Sequence, residues 1–341
     1  MSFPRVYLSR PAVVLPAGRV DNDEVLRRIR ESYRGKPAHW PVVEESVRYV
    51  FARCNTHVRY FEPDTSVRVA DYAARAATAC LEANDLMPDA IDLLIFGGIA
   101  RNYFEPATAM EVAHKVGVQS CHAFDVTSAC VGLLESIHIA CSYLALHPEL
   151  RTALVCSAEL SSQFLSFDLQ GPADLMRKAA GLTVGNAAAA FLIRREPFDE
   201  GSMKLLAMAN MSLPKHWDLC KVPIDGTFDS LSTEPMKLNV HAPPELFKLF
   251  ERVGWKTDEI DHFVFHQPGD AVVLETSAAM GIDARKVALT HRYYANTATT
   301  TVPLALDHLL RERRILAGDR IVFSSAAAGF TMVSGAGVWV D

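Results

Sequence analysis

The stretch FDVTSACVGLLESIHIA, residues 124–140, places one cysteine between the end of an apolar strand and the first turn of an apolar helix. Leu133, Leu134 and Ile137 recur on one helical face, which predicts a helix buried on that side. A strand–turn–helix joint exposes a nucleophile at the edge of a sheet, and the positive end of a helix dipole lowers the pKa of a thiol. Cys130 is therefore either a catalytic nucleophile or a small buried side chain.

Short apolar runs alternate with helical patterns along the chain. The runs that predict buried strands cover residues 91–98, 151–159, 261–267 and 319–328. The patterns that predict helices cover residues 67–84, 131–147, 271–281 and 302–314. Such alternation indicates parallel sheets with helices on their faces. A long segment rich in Pro, Asp and Ser, residues 211–237, is the candidate for a cap over a site.

The composition excludes several classes of protein. Half of the 341 residues are hydrophobic, which suffices for one large core or two closely packed halves. A net charge of −6 argues against a nucleic-acid partner. We expect no membrane span, because no apolar run reaches roughly 18 to 20 residues. We expect no signal peptide, because the first residues contain no long apolar core followed by a small-residue cleavage site. Seven scattered cysteines without CxxC pairs indicate reduced thiols of a cytoplasmic protein, without a disulfide framework or a metal site.

Two more polar residues stand at positions typical of sites. His266 directly follows an apolar strand in FVFHQPG, at the strand end where the sites of α/β sheets gather. Asn296 lies in a loop of small residues, RYYANTATTTVP, just before a helix. Taken singly, His266 also suits a structural role and Asn296 a turn or a helix cap.

The order of Cys130, His266 and Asn296 resembles the β-ketoacyl-ACP synthase III branch of the thiolase superfamily. FDVTSACVG is similar to the nucleophile segment of that family and FHQPG to its histidine motif. GLTVGNAAAAFLI (181–193) is similar to the strand that closes the first half, and residues 295–340 to the C-terminal signature.

This resemblance implies a fold and an assembly. The expected fold is the thiolase fold, an α/β architecture with two related βαβ-rich halves. Residues 1–196 would form the half that carries the nucleophile, and residues 197–341 the half that carries the histidine and asparagine motifs. The halves would pack as five alternating layers, αβαβα, and the expected assembly is a homodimer.

The resemblance also implies roles for individual residues. Cys130 would take an acyl group from a thioester, while His266 and Asn296 would polarise the carbonyl of a second thioester and stabilise its enolate. The backbone N–H groups of Cys130 and Ala328 would form the oxyanion hole for acyl transfer. The family usually has glycine where this chain has Ala328. Phe330 matches a phenylalanine that lines the site.

A glutamate before a proline separates the chain from many synthase III enzymes. In ARNYFEPATAMEV, Glu105 stands where those enzymes have an apolar aromatic residue. The EPATA context resembles the head-to-head condensing enzymes of bacterial olefin biosynthesis, as do HWDLC (216–220) and residues 253–267. There the glutamate enters the neighbouring subunit's site and is proposed to deprotonate the α-carbon of the second thioester, a step that a non-decarboxylating enzyme requires. The alternative for Glu105 is a surface or interface residue.

Other departures concern the thioester carrier. HQPG replaces the HQAN of fatty-acid initiation, so Gly269 offers no side chain to the pantetheine arm, and the next helix carries Asp270 and Glu275 instead of basic residues. An acidic carrier protein is not steered to such a face. The chain is therefore expected to act in specialised lipid or polyketide metabolism and not in fatty-acid initiation. Arg53 and Tyr49 fall near the place where the family clamps the adenine end of CoA. No cofactor is implied beyond the CoA or carrier pantetheine of the substrate.

Three functions stay open at this stage. The first is a Claisen condensation of two acyl thioesters, with Cys130 as acyl carrier and Glu105 as base. The second is an acyltransferase that moves an acyl group, for example a malonyl or short chain, from CoA or a carrier protein to an alcohol or amine, with His266 as general base. The third, a non-catalytic partner subunit, is disfavoured because all three site residues are present. Classical thiolases are disfavoured because residues 324–337 contain no second cysteine.

Overall fold

The computed structural model describes residues 3–231 and 234–341. Residues 1 and 2 of the predicted N-terminal half, and residues 232 and 233 of the predicted cap, lie outside the described residues. The strands are β1 (Tyr7–Ser9), β2 (Ala12–Val14), β3 (Gly18–Asp21), β4 (Val58–Phe61), β5 (Leu93–Gly97), β6 (His122–Val126), β7 (Thr152–Glu159), β8 (Ala187–Arg194), β9 (Ser202–Ser212), β10 (Cys220–Lys221), β11 (Asp229–Ser230), β12 (His262–Phe265), β13 (Arg320–Ala327) and β14 (Thr331–Val340). The helices are α1 (Asn22–Ser32), α2 (Trp40–Cys54), α3 (Val69–Glu82), α4 (Thr108–Val116), α5 (Gly132–Leu146), α6 (Pro172–Lys178), α7 (Glu234–Lys237), α8 (Ala242–Val253), α9 (Asp270–Ala279), α10 (His291–Tyr294) and α11 (Thr301–Arg311).

The elements predicted from the apolar patterns are confirmed. The four predicted strands are β5, β7, β12 and β13, and the four predicted helices are α3, α5, α9 and α11. The strands that no apolar run predicted include short ones, such as β1 and β10, and also the two longest, β9 and β14. These elements pack against neighbours distant in sequence, so their conformation depends on tertiary contacts.

One mixed sheet runs through the molecule. Its strand order is β12-β13-β14-β9-β1-β8-β7-β5-β6, and β2 also pairs with β8. β5 is parallel to β6 and β7, and β12 is parallel to β13, as expected for strands separated by helices. The other pairs of this sheet are antiparallel, so the expected parallel pairing holds only for part of a mixed sheet. β13 and β14, for example, are joined by a short hairpin, which brings strands together antiparallel.

The layers follow from what each helix covers. α5 and α11 share one apolar core with strands from both ends of the sheet, which therefore folds over these two helices. α3 and α4 cover the outer face of the β5, β7 and β8 region. α8 and α9 cover the outer face of β12, β13 and β14. This arrangement confirms five alternating layers, αβαβα. The division into halves at residue 196 lies in the connection between β8 and β9 and stays a prediction.

Helix α5 approaches the sheet unusually closely. A Cβ atom added to Gly97 of β5 would lie 2.4 Å from the carbonyl oxygen of Gly132, the first residue of α5. Two glycines at this contact therefore let the start of the helix approach the strand end directly. The start of α5 is also where Cys130 lies.

Helix α5 contradicts the expectation that no apolar run is long enough to span a membrane. The window Ala129–Leu146 reaches the length and hydropathy of a membrane span, with a mean hydropathy of 1.6, so an apolar run of that length does exist. Half of the window is buried inside the protein. Its buried residues pack in the core shared by both ends of the sheet, which accounts for their apolar character.

Truncation of the central helix should destabilise the protein. Ile137 of α5 is fully buried, so Ile137→Ala removes apolar contacts and leaves a cavity. We expect the free energy of unfolding in urea to fall by about 2–5 kcal/mol. The matched control is Leu146→Ala at the exposed end of the same helix, where Leu146 is 77% exposed, and its effect should stay within about 0.5 kcal/mol. Equal losses for the two variants would contradict the central position of α5.

Candidate active site

The three main candidates from the sequence, Cys130, His266 and Asn296, line one cavity. This cavity has a volume of about 490 Å³, and its walls include Cys130, His266 and Asn296. Ala328 and Phe330 line it as well. Residues from four separate segments of the chain thus meet at one place. Their catalytic roles stay predictions at this point.

Cys130 sits in a tight turn between strand and helix. β6 ends at Val126, a 3₁₀ turn covers Ala129–Val131, and α5 begins directly afterwards. Ala129 has a φ of +44°, a left-handed conformation that is uncommon for a residue with a Cβ atom. The strand–turn–helix joint expected from the sequence is therefore present, with backbone strain directly before the cysteine.

The surroundings of Cys130 oppose its ionisation. Burial raises the pKa of the Cys130 thiol, and the nearby carboxyl group of Glu159 raises it further. The helix dipole was expected to lower this pKa. Desolvation by burial is the largest influence on the pKa of Cys130 in the folded protein, and it acts in the opposite direction. A nucleophilic Cys130 consequently needs a proton acceptor close by.

His266 is held so that one ring nitrogen remains for the cavity. Its Nδ1 lies 2.6 Å from the hydroxyl oxygen of Thr301, and this hydroxyl donates to the carbonyl of Ala298 at 3.1 Å. Since the single hydroxyl hydrogen is used, the oxygen accepts from Nδ1–H, and Nε2 is the unprotonated nitrogen. Burial, together with the proximity of His291, lowers the pKa of His266 to about 4. The ring is therefore neutral at pH 7, with Nε2 available as a base.

Asn296 is fixed through its backbone and its side-chain oxygen. Its N–H donates to the carbonyl of Thr183 at 2.9 Å, and its carbonyl accepts from the N–H of Gly185 at 2.9 Å. Its Oδ1 accepts from the N–H of Ala298 at 2.9 Å. Because the oxygen is used locally, the amide Nδ2 is the group left to donate to a ligand in the cavity.

The tip of the β13–β14 hairpin forms another wall. Ala327 and Thr331 are its last paired residues, so Ala328 begins the connecting loop. The left-handed positions of this loop are Gly329 and Phe330, with φ of +74° and +43°. Alanine therefore replaces the glycine of related sequences without adopting a positive φ. The Phe330 ring is buried and contacts the cavity.

The predicted cap covers the cavity. Residues that line the cavity come from both ends of this segment, for example Cys220, Phe228 and Met236. Asp229 of β11 accepts two hydrogen bonds, of 2.8 and 2.7 Å, from Arg177 of α6, which ties the segment to the rest of the protein. The prediction of a cap between residues 211 and 237 is confirmed for the residues that the structure describes.

Glu105 lies apart from the other candidates. It is exposed and precedes a cis Glu105–Pro106 peptide bond, and the cavity of its own chain is not lined by it. Neighbouring apolar side chains are exposed too, with Phe104 at 79% and Met110 at 53%. An exposed apolar cluster of this kind is typical of an interaction surface.

The candidate CoA-binding residues lie beside the cavity wall. Arg53 donates to Glu275 of α9 at 2.8 Å, and the same helix lines the cavity through Val272 and Thr276. Tyr49 is 66% exposed on α2. Neither Arg53 nor Tyr49 belongs to the described cavity lining. Their role in CoA binding stays a prediction.

Three residues near the site were missed from the sequence. Thr301 orients His266, Cys220 places a second thiol on the cavity wall, and Glu159 is a buried acid beside Cys130. Glu159 could have been found, because it stands at the carboxyl end of a predicted strand, as His266 does. Over the described residues, no group of three or more His, Cys, Asp or Glu side chains could hold a metal ion.

Sequence comparisons identify similar proteins. Two family profiles match, "3-Oxoacyl-[acyl-carrier-protein (ACP)] synthase III" over residues 124–212 and its C-terminal counterpart over residues 250–339. A β-ketoacyl-[acyl-carrier-protein] synthase III of Rhizobium meliloti is 30% identical over 301 residues, which cover 85% of this chain and 90% of that protein. The enzyme of the same name from Sphingopyxis alaskensis is 29% identical, over 96% of this chain and 97% of that protein.

Solved structures share the fold. A glutamate-to-alanine variant of OleA from Xanthomonas campestris superposes with a TM-score of 0.87 at 24% identity, over 99% of both chains. The 3-oxoacyl-[acyl-carrier-protein] synthase III of Aquifex aeolicus superposes with a TM-score of 0.84 at 19% identity, over 98% of this chain and 99% of that one. These superpositions confirm the thiolase fold expected from the sequence.

The buried histidine behind the site should make the protein acid-sensitive. His291 is fully buried between Thr56 and the carbonyl of Gln267, and burial lowers its pKa to about 4. Between pH 6.5 and 4 the unfolded chain therefore binds a proton at His291 that the folded protein excludes, so stability is complete above this window and falls as the pH falls through it. We expect His291 to account for about 3 kcal/mol of that loss.

Urea unfolding at several pH values checks this expectation. His291→Gln should lower stability at pH 7, because it breaks hydrogen bonds, yet it should flatten the decline between pH 6.5 and 4. The matched control is His138→Gln, a less buried histidine on α5 whose loss should leave the decline unchanged. An equally steep decline in His291→Gln would contradict the assignment.

Proposed function

The chain belongs to the β-ketoacyl-[acyl-carrier-protein] synthase III family of the thiolase superfamily, and from this premise we propose that it joins two acyl thioesters by Claisen condensation. It is an acyltransferase of the 3-oxoacyl synthase III type. The observation that carries the proposal is the common cavity of Cys130, His266 and Asn296. Over the described residues, neither His266 Nε2 nor Asn296 Nδ2 has an intramolecular hydrogen-bond partner, so both can act on a ligand in the cavity.

The first half-reaction loads Cys130. The sulfur attacks the thioester carbonyl, a new carbon–sulfur bond forms, and the bond to the leaving thiol breaks. The proton of Cys130 passes to His266 Nε2 and from there to the departing thiolate. Burial supports this role of His266, because a thiol whose pKa is raised needs a base and the neutral imidazole provides one. The backbone N–H groups of Cys130 and Ala328 would stabilise the oxyanion.

The second half-reaction needs a base for the α-carbon of the second thioester. The cavity lining contains no Asp or Glu among the described residues, so a carboxylate base has to come from elsewhere. We assign this role to Glu105 of a partner subunit in a homodimer. Its exposed position, flanked by the exposed Phe104 and Met110, supports this assignment. The enolate carbon then attacks the acyl-Cys130 carbonyl, a carbon–carbon bond forms, and the Cys130 thiolate leaves and regains a proton.

The charge around the site supports a substrate outside core fatty-acid initiation. α9, next to the cavity, begins with Asp270 and carries Glu275, which is already paired with Arg53. An acidic carrier protein gains little attraction from such a helix. We therefore place the enzyme in specialised lipid or polyketide metabolism, with CoA-borne acyl groups as substrates. Seven free cysteines support a reducing, cytoplasmic location.

A second candidate function rests on the state of His266. An unprotonated Nε2 would also take a proton from an alcohol or amine that attacks acyl-Cys130. The product would then be an ester or amide of a natural product. The unoccupied amide donor of Asn296 favours condensation. Such a donor stabilises the charged oxygen of an enolate, which simple ester formation does not require.

Acyl loading of the cysteine is the direct test. Wild-type protein and Cys130→Ala are incubated with acyl-CoAs of short to long chain, malonyl-CoA included, and their intact masses are measured. We expect wild type to gain one acyl unit and Cys130→Ala to gain none, because the thiol is the acceptor. Cys220→Ala is the matched control for the second cavity thiol and should load like wild type. Equal adducts on wild type and Cys130→Ala would overturn the proposal.

The role of the exposed glutamate is tested separately. Glu105→Gln should load Cys130 at the wild-type rate but form the carbon–carbon bond about 10²–10⁴-fold more slowly, because the amide cannot accept the α-proton. Glu111→Gln, which changes a nearby acid on α4, is the matched control and should condense normally. Rapid condensation by Glu105→Gln would exclude Glu105 as the base, while ester or amide products from wild type would support the second candidate function.

A further inference from the structure

Glu159 is a buried acid that the proposed reaction leaves without a role. It is the last residue of β7, and its side chain is fully buried. Over the described residues, its hydrogen bonds come from neutral donors and it forms no salt bridge. A buried carboxylate without a cation is costly, so its retention beside the nucleophile calls for an explanation.

The two oxygens of Glu159 have different surroundings. Oε1 accepts from the N–H of Ile99 at 2.9 Å and from the hydroxyl of Thr299 at 2.8 Å. Oε2 accepts only a long bond of 3.4 Å from the N–H of Ala100. A proton can therefore reside on Oε2 without the loss of a good hydrogen bond. The site thus accommodates both the carboxylate and the neutral acid.

The donors of Glu159 belong to the walls around Cys130. Ile99 lines the same cavity as Cys130. Thr299 belongs to the 3₁₀ turn Ala298–Thr300, which packs against the turn Ala129–Val131 that carries the cysteine. A charge on Glu159 therefore acts on Cys130 through the protein interior. Charges are screened less there than in water.

We infer that Glu159 controls through its charge how readily Cys130 ionises, so that acyl transfer to Cys130 is faster when Glu159 is protonated. Glu159 does not line the cavity, so it acts through Cys130 and not on the substrate. This inference rests on the proposed function, in which Cys130 is the nucleophile. Burial raises the pKa of Glu159 to about 7, so both of its states are populated near neutral pH.

The other ionisable groups nearby have assigned partners or states. His266 stays neutral above pH 5, because its pKa is about 4. Cys220 faces Cys130 across the cavity, and burial raises the pKa of its thiol. Asp125 of β6 accepts from the N–H groups at the start of α4, and Arg101 donates to the hydroxyl of Thr127. His216 and Lys221 line the cavity from the cap segment. Glu159, whose pKa is about 7, changes its charge between pH 6 and 8, and the Glu159→Gln variant isolates its effect from theirs.

The test measures the alkylation of Cys130 by iodoacetamide between pH 5.5 and 9, by peptide mass, in wild type and in Glu159→Gln. Glutamine keeps an acceptor at Oε1 and places its NH₂ at the long contact. We expect equal rates at pH 5.5 and about three- to tenfold faster alkylation of the variant above pH 8. Wild type should show a shoulder near pH 7 that the variant lacks. Rates with a pH-independent ratio would overturn the inference.

A second variant and an internal control keep the test decisive. Thr299→Val removes the hydroxyl that stabilises the carboxylate, so the wild-type shoulder should move to higher pH; an unmoved shoulder also overturns the inference. This variant serves if Glu159→Gln does not fold. Cys121, which directly precedes β6 and does not line the cavity, should be alkylated at the same rate in every variant.

Failure of the inference about Glu159 can be distinguished from failure of the proposed function. If Cys130 is acylated by acyl-CoA but Glu159→Gln leaves its pH profile unchanged, the role of Glu159 alone is overturned. If Cys130 never accepts an acyl group but its alkylation depends on Glu159 as described, the electrostatic coupling stands and the proposed function is overturned.

Discussion

The packing of α5 and α11 between the two ends of the sheet is the constraint on which the site depends. Both helices bury their apolar faces in one core, and neither can shift without opening it. Cys130 immediately precedes α5, while Thr301, which orients His266, begins α11. The turns that lead into the two helices pack against each other. Core packing therefore fixes the distance between Cys130 and His266, although no core residue takes part in the proposed chemistry.

Backbone strain is concentrated where these turns meet. Seven residues other than glycine have a positive φ over the described ranges, and four of them either line the cavity or flank Asn296, which lines it. These four are Ala129, Ala295, Ala298 and Phe330. Each lies within two residues of a group proposed to bind or react. Such conformations persist only where the surrounding structure imposes them, so the packed core supplies the energy that holds the site in shape.

The sequence predicted the elements that have their own apolar pattern. Strands β5, β7, β12 and β13 and helices α3, α5, α9 and α11 each bury a face that the residue spacing reveals. The meeting of Cys130, His266 and Asn296 was implied by the resemblance of their order to the synthase III family, because each position taken singly also suits a structural role. The mixed character of the sheet was not predicted, because β1, β9 and β14 gain their conformation from partners far away in the chain.

The protonation states of the site residues could not be predicted from the sequence for a related reason. A motif places Cys130 at a helix start and suggests a lowered pKa, but the balance of dipole and desolvation depends on how deeply the turn is buried. The tautomer of His266 likewise depends on a hydroxyl 35 residues away in the chain. Glu159 was visible as an acid at a strand end, yet its significance arises only from the turn 298–300 that brings Thr299 to it.

Burial of the cavity favours the binding of an acyl chain but opposes the charges that the proposed reaction forms. An apolar, capped cavity holds an acyl chain and excludes water, yet it disfavours every charge that the reaction needs, including the thiolate of Cys130. A permanent carboxylate inside the cavity would increase that difficulty, since like charges in a poorly solvated site oppose each other. A base that is exposed in the free chain and enters from a second subunit avoids this conflict, because its charge is desolvated only in the assembled site. The exposure of Glu105 and the absence of Asp and Glu from the described cavity lining both agree with the proposed role of Glu105 as that base.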